Sequence, residues 1–103
     1  MKPTLVAALL CLFPLMALAE GDPVAGKQKA AACATCHGED GKAPITTYPK
    51  LAGQNAPYLV YALRAYKANQ RKGALSSLMT AIAVVLSDQD MEDLAAHFAS
   101  LQP

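Results

Sequence analysis

Five consecutive residues, Cys33-Ala34-Thr35-Cys36-His37, constrain this chain more than any other feature. At C-x-x-C-H spacing two thiols can bond one haem covalently while the histidine that follows ligates its iron. The motif therefore asks for a fold that wraps a large apolar disc. A cofactor bonded through two sulfurs cannot dissociate, which suits repeated electron transfer. The rival for a C-x-x-C pair is thiol-disulfide exchange, but that motif belongs in the strand-to-helix turn of a βαβ unit. No strand pattern precedes Cys33.

The chain opens with Lys2, an apolar run from Leu5 to Leu18 broken by Pro14, and the small-x-small site Ala17-Leu18-Ala19 before Glu20. This reads as a secretory signal, residues 1–19, cleaved after Ala19 and followed by one domain, residues 20–103. An uncleaved membrane anchor is the weaker alternative, because the run falls short of the roughly 18 apolar residues of a spanning helix. Cys11 follows Leu9 and Leu10, not the small residues that a lipoprotein cysteine wants, and leaves with the signal. The mature chain then holds one cysteine pair, Cys33 and Cys36, in a compartment where exposed thiols are oxidised. Without Lys2 the Lys and Arg residues balance the 8 Asp and Glu, so no strongly basic face argues for nucleic acid. A domain this small buries only about 60% of its unfolded surface and needs a staple or cofactor.

Gly21-Asp22-Pro23 supplies an N-cap aspartate and a proline at the first helical position, and an alanine-rich stretch runs to Ala32. A first helix should deliver Cys33 to the haem. Gly26 inside it costs about 1 kcal/mol relative to alanine, which points to another helix crossing closely. From Gly38 to Gln54, Gly38, Gly41, Pro44, Pro49 and Gly53 punctuate too often for a helix or long strand, so this is a wrapping loop. A helix restarts at Asn55-Ala56-Pro57, with Leu59, Ala62, Leu63 and Tyr66 on one core stripe. For Tyr58 and Tyr61 an ordinary amphipathic surface is the expected setting. Lys67 to Ser77 is a polar connection leading into the apolar stretch Leu78 to Leu86. Ser87 and Asp90 form a capping-box pair ahead of a last helix with Met91, Leu94, Ala95, Phe98 and Leu101 on one face. That helix should pack across the first. No period-2 alternation is present, so the fold class is all-α.

An electron-carrying haem iron wants two protein ligands, and His37 supplies one, its other ring nitrogen donating to a carbonyl. Met79, Met91 and His97 are the candidates for the second. Met91 lies on the apolar stripe of the last helix, where methionine commonly fills gaps. His97 is expected to be a partly exposed polar residue. Met79 stands at a loop-to-helix junction, away from a helix stripe, and is preferred. A thioether ligand raises the potential relative to a second imidazole.

These residues together resemble a known family, the small class I c-type cytochromes of the bacterial periplasm, particularly those built like one half of the two-haem cytochromes. The resemblance runs through Gly21-Asp22-Pro23, Cys33 to Gly38, Tyr48 to Gln54, Tyr58-Leu59, Met79 and Leu86 to Asp90. It implies a class I cytochrome c fold of four or five short helices around one covalently attached haem c, with the terminal helices crossing. By the same resemblance, Cys33 and Cys36 form the thioethers, with His37 as proximal and Met79 as distal axial ligand. The Pro49 carbonyl accepts the proximal-histidine hydrogen bond, with Pro44 ranking behind it, and Leu51 packs on the haem. Two positions depart from the family pattern, Ala30 where many relatives carry an aromatic residue and His97 where they carry tyrosine.

The function so implied is periplasmic electron transfer by a monomer, not an enzyme, whose haem iron cycles between ferric and ferrous. Its partners are a transient redox donor and acceptor, with no nucleic acid and no transmembrane segment in the mature chain. Lys27, Lys29, Lys42, Lys50, Lys67, Arg71 and Lys72 could steer an acidic partner, though a solvated surface explains each as well. The alternatives are a dedicated electron-entry subunit of an oxidoreductase complex and, less favoured, a gas-binding haem protein whose sixth site is easily vacated.

Overall fold

In the computed structural model, residues 1–5, 7–8 and 20–103 are described; Cys11 and the expected cleavage site after Ala19 lie outside the described residues. Five helices follow in order: α1 (Pro23–Lys29), α2 (Ala31–His37), α3 (Ala56–Lys67), α4 (Ser76–Ala83) and α5 (Asp88–Ser100), with no strand among the described residues. The class is all-α. Asp22 caps α1, its carboxylate accepting the Val24 N–H at 2.9 Å, and Pro23 begins the helix.

The crossing of α1 on α5 is the most extensive helix contact. Gly26 makes it possible: a Cβ there would stand 1.9 Å from the Asp93 carbonyl oxygen and 2.8 Å from the His97 Cβ. Asp93, with a side chain 5% exposed, locks the crossing. It accepts the Asp22 N–H at 2.9 Å, the Lys29 ammonium at 2.6 Å and the Gln89 amide at 3.0 Å. Lys29 also reaches Asp90 at 2.9 Å. The Asp22 N–H, then Lys29 and Gln89, hold the Asp93 carboxyl down to about 2.

The sequence reading carried one helix from Asp22 to Ala32; the structure divides it. Ala30, in the right-handed bridge region at φ −80° and ψ −1°, closes a tight turn onto the Lys27 carbonyl at 3.3 Å and opens α2. The contact at Gly26 fixes the direction of α1, so the chain must re-aim after Lys29 before the thiols can reach the interior. The C-x-x-C-H motif itself is helical, running to His37. Ala30 is buried in the core with Leu59, Val60, Leu94, Ala95 and Phe98. Met91 is fully enclosed.

His97 also differs from expectation. It is buried, 6% exposed, with its ring 5.0 Å from that of Phe98. The reason lies in α1, whose Gly26 brings backbone directly over this turn of α5. Burial, and then the charge of Lys27, pushes the His97 pKa below its ordinary value.

Loop 38–55 wraps between α2 and α3. Gly41, at φ +71°, anchors it by accepting the N–H groups of Leu51 at 2.8 Å and Ala52 at 3.1 Å. α4 begins two residues before the predicted apolar stretch and ends at Ala83. Lys67 then donates to the Leu86 carbonyl at 2.5 Å, tying α3 to the α4–α5 turn. Ser87 and Asp90 form the full capping box of α5, at 3.0 and 2.9 Å.

Candidate functional site

A cavity of about 360 Å³ opens between α2, loop 38–55, α3 and α4 and reaches Leu94, Ala95 and Phe98 of α5. One wall is the motif helix. Cys33, Cys36 and His37 all line it, both cysteines half-buried and without a disulfide. Burial first, and the neighbouring Cys36 second, push the Cys33 thiol pKa up.

His37 is 6% exposed, and its Nδ1 lies 2.8 Å from the Pro49 carbonyl oxygen. A carbonyl can only accept, so the proton sits on Nδ1 and the lone pair of Nε2 is left for a metal. Loop 38–55 sets this contact: the hydrogen bonds to Gly41 bring residues 49–52 back beneath α2. Leu51 follows into the cavity lining, along with Pro49 itself. Pro44 is absent from it.

The facing wall is α4, whose backbone does not approach that of α2. Leu75, Leu78, Met79 and Ile82 all line the cavity, at spacings of three, four and seven residues from Leu75. Met79 therefore sits inside a helix stripe, in the first turn of α4, and not at a junction clear of one. Leu75 and Leu78 are 40% and 51% exposed although apolar. Met91 and His97, the other ligand candidates, do not line the cavity.

α3 supplies the floor through Tyr58, Leu59, Ala62, Leu63 and Tyr66. Tyr58 thus departs from the expected plain surface role, whereas Tyr61, 71% exposed, lies outside this cavity. Tyr66, read from the sequence as core, carries the Arg71 guanidinium 4.5 Å above its ring, and both line the cavity. The missed signal was the i, i+4, i+8 series Tyr58, Ala62, Tyr66 beside Leu59 and Leu63. That double stripe is wider than α5 alone could cover.

The donor set fits a haem c. Two thiols and an oriented imidazole share one wall, a thioether stands on another, and the remaining surface is mainly leucine, alanine and aromatic. Seven surface cations were candidates for steering an acidic partner. Three already have partners: Lys29 pairs with Asp90 and Asp93, Lys67 donates to the Leu86 carbonyl, and Arg71 lies over the Tyr66 ring.

Comparison with known proteins identifies the family. The chain is 46% identical over 80 residues to cytochrome c-554(548) of Halomonas halodenitrificans, covering 78% of this chain and 96% of that protein. The solved structure of reduced recombinant cytochrome c4 from Pseudomonas stutzeri superposes with a TM-score of 0.69 at 44% identity, over 80% of this chain and 46% of that one. A thiosulfate dehydrogenase structure from Marichromatium purpuratum gives 0.72 at 33% identity, over 80% of this chain and 20% of that one. The chain spans about half the length of the cytochrome c4 relatives it matches. The sequence profile of the family described as Cytochrome c matches residues 23–102. The chain belongs to the cytochrome c family, and its cofactor is one covalently attached haem c.

Proposed function

We propose that this domain is a periplasmic electron-transfer protein, with His37 and Met79 as axial ligands, that shuttles electrons between redox proteins of a respiratory or related chain. The observation carrying this reading is the cavity that has Cys33, Cys36 and His37 on α2 and Met79 on α4, two helices that face each other across it. A haem c held there supplies a one-electron ferric–ferrous couple. The residues do the rest. The two thiols fix the macrocycle edge; Pro49 holds the imidazole in the tautomer whose Nε2 can bind iron. Met79 would supply the second protein ligand and leave the iron no open position for a substrate, as suits a carrier and not an enzyme. Leu51, Leu75, Leu78 and Ile82 line the same cavity and would lie against a bound haem, shielding it in part from water, which favours the less charged ferrous state.

Residues 1–19 act as the export signal, and no described helix is long and apolar enough to cross a membrane. A monomer using its exposed cofactor edge for short-lived contacts matches the small interfaces of redox encounters. The likeness to part of a thiosulfate dehydrogenase chain favours a second reading, a dedicated electron-entry subunit of an oxidoreductase. Mild purification separates the two, because a shuttle emerges as a free monomer and a subunit co-purifies with its enzyme.

Carbon monoxide tests the ligand assignment. The native ferrous protein should resist it, and Met79→Ala should bind it readily with the haem still attached. Binding by the native protein would place this domain among gas-binding haem proteins.

A further inference from the structure

The α1–α5 crossing buries two titratable side chains one helical turn apart, Asp93 and His97, and treats them differently. The Asp93 charge is met by the Asp22 N–H, Lys29 and Gln89. His97 is just as deeply buried, yet no described residue hydrogen-bonds its ring nitrogens; Ser100 donates to its backbone carbonyl instead. Its ring is tilted by 59° against that of Phe98. Over it runs the backbone of α1, so close that a Cβ on Gly26 would stand 2.8 Å from the His97 Cβ.

A proton on this imidazole would meet unfavourable neighbours. On α1 these are Lys27, whose positive charge bears on the ring, and Lys29, already paired with Asp90 and Asp93. On α5 itself, Asp93 lies four residues back, and its three donors engage both of its oxygens. On α3, which also packs on α5, Arg64 is a further cation and pairs with Asp88 and Glu92. The C-terminal end of the α5 dipole would welcome the charge, but that effect is smaller than the cost of burying a charge without a partner. We propose that His97 is an acid-sensitive joint of the crossing: neutral, it packs beneath Gly26, and protonated from solvent, it loosens α1 from α5. Burial, then Lys27, holds the folded-state pKa below the ordinary 6.5. The unfolded or opened chain therefore takes up the proton first as pH falls. The stability that neutral His97 contributes is complete above about pH 6.5 and is lost as pH falls from there to the lower folded-state value. Asp93 acts in a separate window, below about pH 5.

The test is a pH titration of the haem-loaded ferrous protein by NMR, read at the His97 ring and at the α1 amides, Gly26 among them. The ring should titrate below 6.5. As pH falls through the window between 6.5 and that midpoint, the α1 amides should lose protection against hydrogen exchange, corrected for the intrinsic rate, by up to about tenfold per pH unit. In His97→Tyr, which keeps a ring at the joint but does not titrate in this range, α1 protection should stay level down to about pH 5. A ring that titrates at or above 6.5 would overturn the proposal, as would α1 protection that stays level in the parent or falls equally in His97→Tyr. Should His97→Tyr fail to fold, the joint titration of ring and α1 amides in the parent decides alone.

Discussion

The α1–α5 crossing and the α2–α4 cavity are built on opposite terms. At the crossing, the chain supplies its own partners: Gly26 gives backbone contact, and Asp93 collects three donors. Around the cavity, two free thiols, an imidazole, a methionine and two exposed leucines face a shared space that no side chain fills. One region is complete as polypeptide; the other becomes complete with its cofactor. A small domain can thus place its self-sufficient packing at one end and delegate the rest of its core to a prosthetic group.

The comparison breaks most severely if the cofactor link is cut. Replacing Cys33 and Cys36 together by alanine should abolish covalent attachment and leave the cavity half unfolded, read as loss of haem stain and of most helical circular dichroism. If the crossing is self-sufficient, Gly26→Val should instead lower stability by about 3 kcal/mol or more through overpacking. The folded remainder should keep the parent spectrum, and thermal denaturation followed in the haem and far-ultraviolet bands checks both points.

Met79→Ala is expected to retain the haem, lower the midpoint potential in a redox titration and open the ferrous form to carbon monoxide. An unchanged potential would remove Met79 as ligand. Asp93→Asn should cost about 1–3 kcal/mol, since it weakens a buried, charge-assisted network. Asp93 has a folded-state pKa held at about 2, below the unfolded value of about 3.9. Its contribution is therefore complete at neutral pH and fades as pH falls from about 5 toward 2. Acid denaturation of Asp93→Asn should accordingly begin from a lower plateau and fall less steeply over that window. Smallest is Ser87→Ala, which removes half of the α5 capping box at a cost of about 1 kcal/mol.

What the sequence disclosed followed the same division. α5 was legible because Ser87 and Asp90 announce its start and Met91, Leu94, Ala95 and Phe98 repeat at helical spacing. Gly26 was legible because glycine inside a helix needs a reason, and close crossing is the usual one. The break at Ala30 was not, since alanine is the best helix former and the turn is imposed by packing of α1 elsewhere. His97 misled for a related reason: what buries it is the absence of a side chain at Gly26, far away in sequence. On the cavity side, Met79 was chosen for standing outside a stripe when it belongs to one. A stripe that faces a cofactor looks, in the sequence, like one that faces a core. Arg71 on Tyr66 is a pairing across a loop, which periodicity within α3 does not encode.

The central claim is that the cavity between α2 and α4 holds a haem c ligated by His37 and Met79. Its most direct measurement is the optical spectrum of the exported protein, first air-oxidised and then reduced with dithionite. The account predicts sharp low-spin ferrous bands and, in the ferric form, the far-red band of methionine-sulfur ligation, lost in Met79→Ala. A high-spin ferric spectrum in the parent, or a colourless protein, would contradict it.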